Sequence, residues 1–172
     1  MHKAADRIRN VALVGHRASG KTSLNEALLY QAGAINRMGI VAEGTTVSDS
    51  EPDERARRMS LSASLASFEW QQRRVNLIDT PGDPSFVADA LGALRVCESA
   101  IFVVNAVMGV EIQTARLWQR AAELDLARCC GCAPSSAPNS SRRPARRPRR
   151  PGVGSPHPSA LAHSQRQRTH FK

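Results

Sequence analysis

Beyond Arg128 the sequence contains no acidic residue. All 15 Asp and Glu lie in residues 1–128, where 15 Lys and Arg balance them. The net charge of +9 is therefore the 9 Lys and Arg of residues 129–172. That asymmetry excludes a uniformly basic nucleic-acid-binding domain and divides the chain into two parts of different character. Aromatics are scarce, at 4%, so the core must be mostly aliphatic. No apolar run approaches the ~20 residues that a bilayer needs. The longest, Ala100 to Val110, is broken by Asn105, which argues against a membrane partner. A secretory signal is also missing: only Val11 to Val14 follow the charged start as an apolar run. The cysteines make no disulfide framework, since Cys97 stands alone while Cys129, Cys130 and Cys132 crowd together. Reduced thiols and a cytoplasmic location are expected. A structural zinc site wants four ligands in paired spacing, and the nearest later candidates, His157 and His163, lie in sequence without apolar pattern.

Present instead is an alternation of strand and helix signals through residue 128. Ile8 and Val11–Val14 read as a buried strand ending at Gly15. Leu24, Ala27 and Leu28 give a helix over 21–32, stopped by Gly33. Residues 34–60 are polar and loop-like, a length that is uncommon in a compact domain unless it is functional. Leu61 to Trp70 and Val75 to Asp79 read as two strands. Phe86, Ala90, Leu94 and Cys97 space as a helix face. Ala100–Val104 is a further strand, and Ile112, Ala115, Trp118 and Ala122 mark a last helix. The pattern predicts an α/β fold with a largely parallel sheet, whose ligands bind beyond the C-terminal ends of the strands.

Gly15-His16-Arg17-Ala18-Ser19-Gly20-Lys21-Thr22 has the spacing of a phosphate loop. Its glycines let backbone N–H groups wrap an anion, and the loop opens a helix whose N-terminus favours negative charge. Lys21 is expected to reach the β- and γ-phosphates, and the Thr22 hydroxyl, beside Ser23, to bind Mg²⁺. Asp79 ends an apolar strand and precedes Thr80-Pro81-Gly82. An acid there can hold Mg²⁺ through water, and the Gly82 N–H can meet a γ-phosphate.

These two motifs resemble the GTPase domain of translation factors, elongation factor G and its elongation factor G-like paralogues above all. Gly39, Val41, Gly44, Thr45, Thr46 and Asp49 fall where that family has a similar pattern. Arg57-Arg58-Met59-Ser60-Leu61-Ser62 stands for its Arg-Gly-Ile-Thr-Ile-Thr. The resemblance covers residues 8–128. It implies a P-loop NTPase, a three-layer α/β sandwich, with GTP or GDP and Mg²⁺ as cofactors and the ribosome as partner. It further implies that residues 34–62 include switch I and that Asp79–Gly82 opens switch II. Four departures stand out. Ser60 replaces the Mg²⁺-binding Thr and keeps the hydroxyl. Ala18 replaces an Asp. Asp83 replaces the His that positions the attacking water, and an anionic carboxylate near a γ-phosphate is repelled, so slow hydrolysis is expected. Finally, the family continues after residue 128 into an apolar strand ending in Asn-Lys-x-Asp, whose Asp reads guanine; no such motif occurs in this sequence.

Residues 129–172 hold 7 of the 10 prolines and three large apolar residues, Val153, Leu161 and Phe171. They are expected to be a disordered tail, since they cannot offset a backbone entropy of ~1–2 kcal/mol per residue. The basic run Arg142–Pro151 admits RNA contact by counterion release, but with one aromatic it has no stacking platform. A solvated tail without selected function is the second reading. The third is a shift of reading frame near residue 129, which the abrupt loss of every acid favours. Two functions stand open: a translation-factor-type GTPase domain truncated after residue 128, or a basic-tailed remnant that binds RNA or the ribosome without turnover. A P-loop ATPase of another family fits less well with Gly15-His16 and Asp79–Gly82. Truncation would leave Ala100–Val104 as an open sheet edge and the chain poorly soluble.

Overall fold

The computed structural model describes residues 5–48, 51–57 and 59–133, all within the unit Met1–Ser141. Asp49, Arg58 and residues 134–172, including the basic run, His157, His163 and Phe171, lie outside the described residues. Five strands form one sheet: β1 (Ile8–Val14), β2 (Ser64–Trp70), β3 (Arg73–Asp79), β4 (Ser99–Asn105) and β5 (Ala127–Ala133). Their spatial order is β2-β3-β1-β4-β5. β1 lies in the middle, parallel to β3 and β4, and β5 runs parallel to β4. Only β2 is antiparallel, joined to β3 by Gln71-Gln72, both at positive φ (47° and 62°), a hairpin turn made without glycine.

Helices cover both faces, as the predicted three-layer sandwich requires. Along β1 the side chains alternate. Ala12 and Val14 join α3 (Val87–Val96) and α4 (Ile112–Glu123) in a core with Phe102, Leu94 and Leu117. Leu13 points to the other face, where α1 (Lys21–Ala32) packs on β1, β2 and β3 with Leu29 buried. Burial pushes the Cys97 thiol, at the end of α3, up to about 11, so it stays protonated at neutral pH. Among the described residues no helix is long and apolar enough to cross a membrane.

Four expectations need correction. Residues 129–133 are not a disordered tail: they form most of β5, paired with β4 from Ser99↔Ala127 to Asn105↔Ala133. β4 supplies the backbone partners, so a strand forms there without a large apolar side chain. The strand 100–104 is consequently not an open edge; among the described residues β5 is the edge on that side, opposite β2, and it too lacks Lys and Pro. Residues 34–60 carry a short 3-10 helix at Val41–Glu43 and α2 (Pro52–Arg57). Lastly, the helices α1 and α4 exist but bury other faces than their apolar spacing suggested. In α4 the buried stripe is Thr114, Leu117 and Ala121, while Ile112 is 75% exposed. Trp118 lies at the margin, edge-on to Phe102 with 4.9 Å between centroids and under the Arg128 guanidinium. In α1 the most buried positions are Lys21, Asn25, Glu26 and Leu29, three of them polar.

Candidate nucleotide-binding site

The loop between β1 and α1 holds the predicted phosphate-binding residues together. β1 delivers the chain at Val14, and Gly15 passes so close to β4 that a Cβ there would strike the Val103 carbonyl. Only glycine fits such an approach. The loop turns back through Ser19 N–H donating to His16 O (3.2 Å), with Ala18 at φ 58° and Gly20 at φ 96°. Gly20 N-caps α1 without a side chain, so the first N–H groups of the helix carry no side-chain cap. Lys21 is buried and its Nζ donates to His16 O at 2.9 Å, across the concave face of the loop.

Two strands bring the second motif alongside. Register places Asp79 opposite Leu13, at the tips of β3 and β1. Thr22 Oγ1 donates to Asp79 Oδ2 at 2.8 Å, which joins the two motifs directly. Thr80 is pinned to β1 twice, its N–H (3.3 Å) and Oγ1 (2.7 Å) both donating to Leu13 O. Pro81 is buried, and Gly82 lies against the loop: a Cβ on it would meet Lys21 Nζ at 2.5 Å and Arg17 N at 2.7 Å. Asp83 turns to its own chain. Its carboxylate accepts from Ser85 N at 2.9 Å, capping a short 3-10 helix, Pro84–Phe86. That hydrogen bond, helped by Arg17, holds its pKa below the ordinary carboxylate value. Ser60 and Ser23 line the same cavity as Arg17, Lys21 and Thr22, about 450 Å³ in volume and closed on one side by Ile40–Ala42. A larger groove of about 920 Å³ runs between α3 and α4 and, among the predicted site residues, holds none.

Thr22 and Ser60 bring hydroxyls to this cavity, and Asp79, buried behind it, is bonded to Thr22. These are hard oxygen donors of the kind Mg²⁺ takes, so the three residues fit the ion. Among the described residues no three His, Cys, Asp or Glu side chains converge, and the three tail cysteines are exposed on β5.

Several site residues escaped the sequence reading. Asn105 ends β4 and ties it to the phosphate loop through Ala18 O (3.4 Å), while its Oδ1 accepts from Val107 and Met108. Glu111, the residue preceding α4, is a further one: it lies 3.9 Å from Nε2 of His16, the phosphate-loop residue already expected at the site, which is 1% exposed. Glu54, on α2, gathers the N–H groups of Glu51, Leu61 and Ser62 next to Ser60. Asn25 and Glu26 hold the loop over the cavity. The signal for the last two was present: Thr22 and Glu26 stand four apart and so share one helix face.

The chain is similar to known proteins of one family. The elongation factor Tu GTP-binding domain family matches residues 6–132, reaching into β5. Ribosome-releasing factor 2, mitochondrial, of Candida dubliniensis is 38% identical over 122 residues, 71% of this chain and 15% of that protein. Its counterpart in Eremothecium gossypii is 40% identical over 119 residues, 69% of this chain and 14% of that protein. A crystal structure of a Thermus thermophilus protein superposes with a TM-score of 0.70 at 43% identity, over 73% of this chain and 19% of the other. Bacterial selenocysteine-specific elongation factor EF-Sec shares the fold, with a TM-score of 0.54 at 23% identity over 69% of this chain and 18% of the other. The chain thus spans about one seventh of the length of the curated relatives it matches.

Proposed function

The chain belongs to the elongation factor Tu GTP-binding domain family, within the translational GTPases resembling elongation factor G, and from that premise we propose that it binds GTP or GDP with Mg²⁺. Gly15 to Ser23 wrap the phosphates with backbone N–H groups and the N-terminus of α1. Lys21 neutralises the β- and γ-oxygens. Thr22, Asp79 and Ser60 would hold the ion, which would supply positive charge against the phosphate oxygens. Thr80 and Pro81 set Gly82 so that its N–H can meet the γ-phosphate. The observation that carries this reading is the 2.8 Å hydrogen bond from Thr22 to Asp79, which joins two motifs 57 residues apart at one cavity beside Lys21.

Hydrolysis by this chain is slow in the same reading. Asp83 occupies the place where the resembling family positions water with His. Its carboxylate is ionised and engaged with Ser85, so it donates no proton and repels the γ-phosphate. The ribosome is the partner that the relatives' name suggests. The nucleotide-binding part runs through β5, and the basic tail follows it. Titration of the chain with a fluorescent GTP analogue and Mg²⁺ tests the assignment. Saturable binding lost in Lys21→Ala supports it; binding indifferent to that substitution sinks it.

A further inference from the structure

Glu26 is an acid with no exposed surface, and the phosphate site described above leaves it without a role. Both its oxygens are engaged by one loop: Oε2 accepts from Gly39 N at 2.8 Å and Oε1 from Val47 N at 2.6 Å. Asn25, equally buried, donates from Nδ2 to Ser48 Oγ at 2.6 Å. The loop between these points closes on itself, with Ile40 N donating to Thr45 Oγ1 (2.9 Å) and Thr45 N to Ile40 O (3.3 Å). Gly39 leaves no room at the clasp: a Cβ would meet Thr45 O at 2.5 Å, Thr46 Cα at 2.7 Å and Glu26 Oε2 at 2.8 Å. The clasped loop presents Ile40, Val41 and Ala42 to the cavity that Lys21 and Thr22 line.

We infer that Glu26 is a positioning residue that clasps loop 39–48 over the nucleotide cavity and so sets how the loop responds to a γ-phosphate. A buried carboxylate is tolerable only while charge-assisted hydrogen bonds satisfy it, and losing them leaves an uncompensated charge. Gly39 and Val47 are thus released together or not at all, which makes the loop two-state rather than gradually mobile. Glu26 sits one turn beyond Thr22 on the same face of α1, so the helix that carries a metal ligand also carries the clasp. The inference rests on the nucleotide reading for its consequence, and on the hydrogen bonds alone for the clasp.

Glu26→Gln is the direct test in the whole chain, because its amide group would turn N–H toward a backbone N–H. Amide exchange at Gly39 and Val47 should quicken by about tenfold or more while β1 stays protected. Affinity for Mg²⁺ with GTPγS should fall about tenfold, and affinity with GDP less than about twofold, since only the first ligand has a γ-phosphate to feel the loop. Gly39→Ala, which crowds the clasp from the loop side, should reproduce both results and serves alone if Glu26→Gln does not fold. Equal losses for both nucleotides would mark Glu26 as merely structural and overturn the inference, as would unchanged protection of the two amides. If the unaltered chain binds neither nucleotide, the function proposed above fails and the consequence for the γ-phosphate fails with it; amide exchange still decides the clasp.

Discussion

β1 and β5 are both parallel strands of one sheet, yet they end differently. At the tip of β1 the polar groups of β1, β3, β4 and α1 and of the loops at their ends answer one another: Thr80 donates twice to Leu13 O, Asn105 reaches Ala18 O, and Thr22 meets Asp79. β5 is paired with β4 along its whole length, but Cys129, Cys130 and Cys132 stand exposed. Its main side-chain tie is Arg128, stacked on Trp118 and bonded to the Trp118 carbonyl. The difference is one of what each place demands. A neighbouring strand offers backbone partners to almost any sequence. A phosphate loop accepts only glycine where backbone or lysine passes within van der Waals contact, as at Gly15 and Gly82.

The largest expected effect separates centre from edge. Phe102 is buried at the junction of β4, α3 and α4, so Phe102→Ala should cost about 3–5 kcal/mol in denaturant unfolding. Cys130→Ser, its register partner on β5, should cost less than about 0.5 kcal/mol. Comparable losses would mean that β5 belongs to the core and the contrast is wrong. Next is Lys21→Ala, expected to weaken Mg²⁺-GTP binding by about two orders of magnitude, the worth of a charge-assisted contact in a buried site. Arg128→Ala should leave that affinity unchanged. Isothermal titration of both variants reads the comparison directly.

The contrast also explains what could be read from residues alone. The strands around β1 and the two phosphate motifs were legible because buried strands and close-approach glycines leave fixed patterns. The helix faces were not. α1 buries Lys21, Asn25 and Glu26 because they serve the site and the loop, and polar residues inside break the apolar spacing that would reveal the buried side. In α4 the apolar Ile112 faces outward and the small Thr114 and Ala121 face in, so spacing pointed to the wrong stripe. β5 was missed because its pairing is a property of β4, not of its own composition. Glu26 lay in view one turn after Thr22, but its partners are backbone N–H groups, which no side-chain pattern announces.

A smaller effect sharpens the view of the β3 tip. Asp83→His should raise GTP hydrolysis by about tenfold in a phosphate-release assay, since a neutral imidazole can orient water where a carboxylate repels the phosphate. An unchanged rate would show that Asp83 is not what limits turnover. The cap that Asp83 makes on Ser85 has its own pH signature. Its folded pKa is lowered, so the stability it adds is present above the ordinary carboxylate pKa and lost as pH falls through the lowered value. The Ser85 amide shift, followed by NMR below about pH 4, should report that loss.

The smallest expected effect is the most telling about β5. The resembling family reads guanine with the Asp of an Asn-Lys-x-Asp motif at the end of the strand that β5 replaces. Here β5 ends at Ala133, and the sequence runs on as Pro134-Ser135-Ser136. Residues 129–172 offer no Asp or Glu side chain to accept from the guanine N1–H and exocyclic amine. A site that hydrogen-bonds its base discriminates by several orders of magnitude, whereas one that holds only phosphates has nothing to discriminate with. The phosphates and Mg²⁺ are the same in GTP and ATP. Competition of each against a fluorescent GTP analogue should therefore give affinities within about threefold of one another, a difference of under ~1 kcal/mol. A GTP preference of a hundredfold or more would mean that some other group of this chain reads the base. The difference between the two strand ends would then be one of residue type only, with both ends serving the nucleotide.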